Sequence, residues 1–183
     1  MSAQLQSVRP VARPDHHNHH RPFVRPTRDG RAYATELPAT RLLAHPMRYV
    51  DWSDAYAVGL PEGARRRDPQ EWADAVFRAP PTWVRILFGA RELLVRAVGI
   101  ERGGSDVFTT VCRTDDEVLL GVDQSHLGFR ASVLVESDRV VVSTVVELRN
   151  RRGRAYFGLV RRLHPLVVRR MLTRVARQLA AAS

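Results

Sequence analysis

The sequence has no lysine and only one cysteine. All 29 basic residues are arginine, a bias that we attribute first to genome composition. A lone cysteine, Cys112, excludes an intramolecular disulfide and is typical of a reducing compartment. Because Cys112 falls inside a predicted strand, we expect it to be a small buried hydrophobe.

The chain also lacks a long uncharged hydrophobic run. Its most apolar stretch, residues 83–98, carries Arg85, Arg91, Glu92 and Arg96, so it is a poor membrane span. No apolar segment follows a basic start at the N-terminus, so we expect no secretory signal. These absences favour a cytoplasmic location.

Acidic residues are absent after Glu147, and ten arginines follow it. The net charge of +10 therefore lies in this C-terminal region. It could contact nucleic-acid phosphates, lie on an anionic membrane or be a solvated helix face. Few aromatics interleave the arginines, which argues against nucleic acid because stacking platforms for bases are missing. The arginines that we predict for an anionic lipid surface are Arg161, Arg162, Arg169, Arg170 and Arg174.

Residues 1–40 are rich in Arg, Pro and His and show no periodicity. Such a segment cannot bury enough apolar surface to offset its ordering entropy, so we predict a flexible arm. Residues 41–183 then form one domain. Residues 16–20 read His-His-Asn-His-His, but no carboxylate or cysteine cluster accompanies them. We expect adventitious metal affinity there and no dedicated metal site.

Hydrophobicity alternates with a period of two from Leu127 to Val135 and from Val140 to Leu148. This pattern predicts two strands with one covered and one wet face. Only a short turn joins them, which predicts an antiparallel hairpin. His126 and Arg130 fall on the wet face near Asp123; they could form a general-base cluster but more simply are solvated ion pairs. The covered face is then nearly bare of acids and bases.

The remaining pattern predicts a strand, two helices, a meander of strands and a long C-terminal helix. Predicted strands cover 48–58, 107–113, 117–122, 127–136 and 139–149. Predicted helices cover residues 68–77 and 82–98, and a last helix begins after residue 153 and breaks at Pro165. Asp68 is the predicted N-cap of the first helix, and Pro69 is its first helical residue. The last helix carries an apolar stripe that includes Leu159 and Leu163. Segregated helices and an antiparallel sheet define an α+β fold.

This element order resembles the helix-grip architecture of START-type (SRPBCC-like) and pollen-allergen-type proteins. The resemblance implies a curved antiparallel sheet wrapped around the long C-terminal helix, with a cavity between them. Several stretches further resemble an uncharacterised bacterial domain-of-unknown-function family, number 2867, of that superfamily, although Gly128 departs from an expected acid. The first stretch opens at 49–51 and closes at 60–61, and the last runs from 154–157 through His164 to 170–172. Between them lie 83–85 with 91–92, 114–121 and 126–130. That family implies a fold and no activity.

The inner strand faces define a candidate ligand cavity. Its predicted lining is Trp83, Phe108, Thr110, Cys112, Phe129, Val133, Val142, Thr144 and His164. Small-ligand sites are usually apolar with a few polar groups, so we predict non-catalytic binding of a small hydrophobic or lipid-like molecule. The alternatives are a filled core, or a cyclase- or dehydratase-like enzyme acting on a polyketide-like substrate. The enzyme requires a titratable group inside the cavity. No glycine-rich fingerprint is present, and we expect no cofactor.

Overall fold

The computed structural model describes residues 30–44, 47–78, 82, 84 and 108–181. They form six strands and three α-helices, and a π-helical turn follows the second helix. The strands are β1 Tyr33–Thr35, β2 Trp52–Gly59, β3 Thr109–Arg113, β4 Glu117–Asp123, β5 Leu127–Val135 and β6 Arg139–Leu148. The helices are α1 Arg41–Ala44, α2 Pro69–Ala73 and α3 Arg151–Ala181, and the π-helical turn is Asp74–Arg78.

All six strands belong to one antiparallel sheet in the order β1-β2-β6-β5-β4-β3. We call the side that faces α3 the inner face. There Val58, Val133 and Val142 pack against Leu172 and Val175 of α3 in the main core. This confirms the predicted α+β helix-grip arrangement, and the four meander strands lie within about two residues of their predicted bounds.

Local capping explains where two helices begin. The Asp68 side chain accepts the backbone N–H of Gln70 at 2.7 Å, and Pro69 is the first residue of α2, as predicted. The Asn150 side chain accepts the N–H of Gly153 at 2.9 Å, and α3 begins at residue 151, whereas it was predicted to begin after residue 153. Pro165 lies inside α3, where a break was predicted, and the helix continues through it.

The opposite, outer face of the sheet is not wet, and this prediction is wrong. Residues 30–44, which we call the covering segment, form β1 and then cross that face. Leu43 packs on Leu119 and Val145, and Tyr33 packs in a second cluster with Leu134 and Val141. The predicted arm therefore does not extend to residue 40, because this segment buries apolar side chains. Residues 1–29, including the histidine cluster, lie outside the described residues.

A polar contact beneath the covering segment fixes its position. Glu117 is only 2% exposed, and its carboxylate accepts hydrogen bonds from Thr40 at 3.0 Å and from Ser132. Two hydroxyl donors compensate part of the cost of burying this group. The covering segment thus supplies a hydrogen bond as well as apolar area.

Two glycines of α3 provide a matched test of its docking. A Cβ at Gly153 would lie 2.2 Å from the carbonyl oxygen of His126, whereas one at Gly158 would have no neighbour within 4 Å among the described residues. We expect Gly153→Ala to destabilise by about 1–3 kcal/mol, since backbone must move. Gly158→Ala should stabilise by about 0.5–1 kcal/mol. Urea unfolding measures both, and equal effects would contradict the docking of α3 on the β4–β5 turn.

Candidate functional site

One row of the inner face carries the polar groups. Asp54 of β2 lies opposite Thr144 of β6, which lies opposite Ala131 of β5. Directly opposed residues of antiparallel strands point to the same side of the sheet. The row therefore places a carboxylate, a hydroxyl and a small side chain next to one another beneath α3.

His164 of α3 completes this group. Its Nε2 is hydrogen-bonded to Oγ1 of Thr144 at 3.1 Å and lies 3.4 Å from Oδ1 of Asp54. The side chains of His164 and Asp54 are 17% and 15% exposed. We call Asp54, Thr144 and His164 the polar cluster, because the imidazole lies close to both the hydroxyl and the carboxylate.

The carboxylate of Asp54 is buried without a hydrogen bond from the described part of the chain. Both of its oxygens are shielded from solvent, and neither has a hydrogen-bond partner among the residues that the structure describes. The approach of His164 Nε2 does not meet the geometry of a hydrogen bond to it. Leaving a buried acceptor unsatisfied costs about 1–3 kcal/mol, and more for a charged group. Such a group in a native structure calls for an explanation.

Aromatic rings flank the polar cluster on the N-terminal side of α3. Trp52, two residues before Asp54 on the same strand face, makes edge-to-face contacts with Phe157 and with His164, at 5.1 and 5.3 Å between ring centroids. These contacts orient the imidazole over Asp54 and Thr144. They also give this half of the inner face an apolar wall.

A second aromatic group lies towards β5 and the π-helical turn. Phe108 stacks on Phe77 at 4.7 Å and meets Phe129 edge to face at 5.9 Å. Phe129 lies opposite Val146, which lies opposite Trp52, so the two aromatic groups share one row of the sheet. The polar cluster belongs to the adjoining row.

The other half of the inner face is filled by protein. Val133 and Val142 are at most 1% exposed and pack against α3 after Pro165. A ligand between sheet and helix therefore has to lie nearer the polar cluster. A separate groove of about 250 Å³ opens at the far end of α3, between the loop at residues 60–67 and Trp72, Ala176 and Leu179.

Six of the nine predicted lining residues are at least partly buried on the inner side of the sheet or on α3 facing it. These are Phe108, Phe129, Val133, Val142, Thr144 and His164. Trp83 lies outside the described residues. The other two, Thr110 and Cys112, are exposed and line no buried surface.

A β-bulge explains Cys112. The register of β3 against β4 shifts between Thr110 and Cys112, so Thr110 lies opposite Leu120 of the inner face but Cys112 lies opposite Leu119 of the outer face. Thr110 stays on the inner side at the sheet edge, where its hydroxyl donates to Gln70 at 2.9 Å. The prediction of a buried cysteine is therefore wrong.

Sequence reasoning missed Asp54 and Trp52. The covered face was predicted to be nearly bare of acids, yet Asp54 alternates with Trp52, Tyr56 and Val58, all of which face inward. The period of two in β2 could have predicted the inward position of Asp54. Titratable groups thus do lie on the inner face.

The other candidate cluster lies at the sheet rim. Arg130 donates to the Asp123 carboxylate at 2.6 Å and to the carbonyls of Val122 and Phe129, as a local ion pair. His126, predicted to be solvated, is 4% exposed and packs against Tyr156 of α3. The prediction for His126 is wrong because the start of α3 covers it.

The Asp123 pair predicts a pH dependence. Its hydrogen bond with Arg130, helped by Arg149 and opposed by partial burial, lowers the pKa of Asp123. A lowered folded-state pKa contributes stability above the unfolded value that is lost as the pH falls through the folded one. We expect Asp123→Asn to lose less stability than wild type between about pH 5 and pH 2. The effect is small because the carboxylate is half-exposed; acid melting curves measure it, and Asp115→Asn, in an exposed turn, is the control.

Within the described residues, no group of three or more His, Cys, Asp or Glu side chains could hold a metal ion. In the same part of the chain, no helix combines the length and the apolar character needed to cross a membrane.

Comparison with known proteins gives a family. A family model described as "Protein of unknown function (DUF2867)" matches residues 46–171. The chain belongs to this family. No curated protein and no solved structure matches it. The DUF2867 region contains all three residues of the polar cluster, whereas the covering segment precedes it.

Proposed function

We propose that this DUF2867 chain binds a small, mostly hydrophobic molecule between the inner face and α3. The molecule carries one hydrogen-bond donor, which the Asp54 carboxylate accepts. The observation that carries the proposal is the pair of buried Asp54 oxygens without a hydrogen bond among the described residues. A ligand hydroxyl or amine would satisfy the carboxylate, and the aromatic rings around the cluster would contact the apolar body.

The chemistry of the cluster predicts selectivity. Asp54 repels an anionic head group, and burial strengthens this repulsion because the local dielectric is low. A neutral alcohol or a protonated amine should therefore bind more tightly than a carboxylate of the same chain length. The proposal includes a relation to START-type (SRPBCC-like) bacterial proteins, whose cavity lies beside the C-terminal helix, and a cytoplasmic location, with which the exposed Cys112 thiol is compatible.

The test uses 1-decanol, decylamine and decanoic acid with the full chain. Ligands that bind only the folded state raise its melting temperature, so thermal shift and native mass spectrometry give two readouts. We expect shifts with the alcohol and the amine that exceed the shift with the acid. Asp54→Asn should remove this preference, while Asp138→Asn, in an exposed turn, should keep it. Equal shifts for all three probes, or no adduct with any, would contradict the proposal.

A second candidate is an acid–base enzyme of the dehydratase or cyclase class. The approach of His164 Nε2 to Asp54 at 3.4 Å favours it, because a carboxylate beside an imidazole can orient the ring for proton transfer. In a dehydration of a β-hydroxy carbonyl chain, His164 would take the proton from the carbon next to the carbonyl and pass it to the β-hydroxyl, which would leave as water as the C=C bond forms. Formation of the conjugated product from a β-hydroxyacyl thioester measures it. His164→Gln should then abolish turnover while adduct formation persists; no product with wild-type protein eliminates this candidate.

A further inference from the structure

Three leucines of α3 are exposed although the sequence pattern placed two of them in the buried stripe. Leu159, Leu163 and Leu166 are 46%, 43% and 49% exposed. Their spacing of four and three residues puts them on one side of the helix. We call these residues the leucine face.

The opposite side of α3 is the one that packs on the sheet. Phe157 contacts Trp52, and Met171 and Leu172 belong to the main core. The expectation that Leu159 and Leu163 share this stripe is wrong, because Tyr156, Val160 and His164 take the sheet-facing positions. The leucine face therefore points away from the sheet.

Arginines border part of the leucine face. Helix α3 contains nine arginines and no acidic residue. Arg170 and Arg177 continue the same side of the helix four and eleven residues after Leu166, and Arg162 flanks it. All three are exposed. The face thus combines an apolar centre with positive charge at one end and along one flank.

The five arginines predicted to contact an anionic lipid surface differ in their position relative to the leucine face. Arg162 and Arg170 lie at or beside the leucine face. Arg169 is exposed, but its Nε donates to the carbonyl of Ala32 at 3.1 Å, and Arg174 is partly buried. Arg161 is two residues from Leu159 and from Leu163, a spacing that places it on another side of the helix.

We propose that the leucine face docks on the surface of an anionic phospholipid membrane. A helix that lies in the interface buries its apolar side chains at the boundary between head groups and acyl chains, and neighbouring basic residues reach the phosphates. The positive charge of α3 complements such a surface. Nucleic acid would use the arginines but would leave the three leucines without a role. This inference does not depend on the ligand proposed above.

The test compares vesicles of phosphatidylcholine alone with vesicles that contain an equal part of phosphatidylglycerol. Sedimentation is measured at about 50 mM and about 500 mM NaCl, because salt screens the charge interaction. We expect wild-type protein to bind the anionic vesicles, more strongly at low salt. Replacing all three leucines by serine should weaken this binding roughly tenfold or more. Arg162→Gln, Arg170→Gln and Arg177→Gln together should weaken it and reduce its salt dependence.

Matched controls keep the result specific to this face. Leu37→Ser changes another exposed leucine, and Arg41→Gln, Arg48→Gln and Arg65→Gln together change three exposed arginines elsewhere. Both controls should bind like wild type, and circular dichroism should show that every variant is folded.

Three outcomes would overturn the proposal. The first is no capture by anionic vesicles at low salt. The second is capture that the leucine variant retains in full, together with tighter binding to duplex DNA. The third is a dimer that the leucine variant loses while no vesicle binding occurs, which would make the face a contact between copies.

Discussion

Removing residues 1–44 is expected to cost about 5 kcal/mol or more, which is comparable to the whole stability of a small domain. The deletion takes away Tyr33, Leu43 and the Thr40 hydrogen bond to Glu117. Each large side chain contributes about 1.5–3 kcal/mol when buried, and the newly exposed sheet face adds to the loss. We expect the truncated chain to aggregate or to lack a cooperative melting transition by circular dichroism.

A shorter deletion and two point variants keep this prediction falsifiable. Removal of residues 1–29 leaves the covering segment in place and should not change the melting temperature. Leu43→Ala should cost about 2–4 kcal/mol, because the side chain is buried against Leu119 and Val145. Leu37→Ala, at an exposed position, should stay within about 0.5 kcal/mol of wild type. Equal costs for Leu43 and Leu37 would contradict the covering role.

The sequence does contain a signal for the covered outer face, although the alternating pattern of the strands obscures it. Residues 140–146 read Val-Val-Val-Ser-Thr-Val-Val, a nearly continuous run without a charged residue. Such a run indicates a strand buried on both faces. Alternation assigned Val141 and Val145 to a wet face, whereas Tyr33 and Leu43 contact them. The covering segment contains only a three-residue strand and a four-residue helix, which are too short for a periodic pattern to reveal.

Strand bounds were predictable where burial enforces a period of two. In β5 and β6 an error of one residue would turn the valines of the inner face away from α3, so the hydrophobic pattern determines the register. In β3 the pattern failed, because the bulge at Val111 reverses the side on which Cys112 lies. Neither glycine nor any other turn residue marks that bulge in the sequence.

The polar cluster was predictable only in part. Thr144 and His164 were expected at the cavity, but Asp54 lies on a strand that joins them through the pairing of β2 with β6 and the packing of α3. No local pattern contains that convergence. An acid in an alternating strand is usually placed on the wet side, and here both sides of the sheet are covered.

Replacing Asp54 by asparagine is expected to stabilise the protein without ligand by about 1–2 kcal/mol at pH 8, the opposite of the usual effect of a buried polar substitution. The amide has nearly the same shape, needs less desolvation and can donate to Thr144 or His164. Chemical unfolding of wild type and Asp54→Asn at this pH measures the difference.

Asp51→Asn is the matched control, because its carboxylate accepts the N–H of Leu148 at 2.6 Å and is therefore already satisfied. This variant should lose about 0.5–1 kcal/mol, so the two aspartates should respond with opposite signs. Saturating 1-decanol should then stabilise wild type and leave Asp54→Asn nearly unchanged. The higher free energy of unfolding of Asp54→Asn relative to wild type should therefore disappear or change sign. A loss of stability in Asp54→Asn without ligand at pH 8 would mean that the carboxylate is a structural group, and would remove the observation on which the ligand proposal rests.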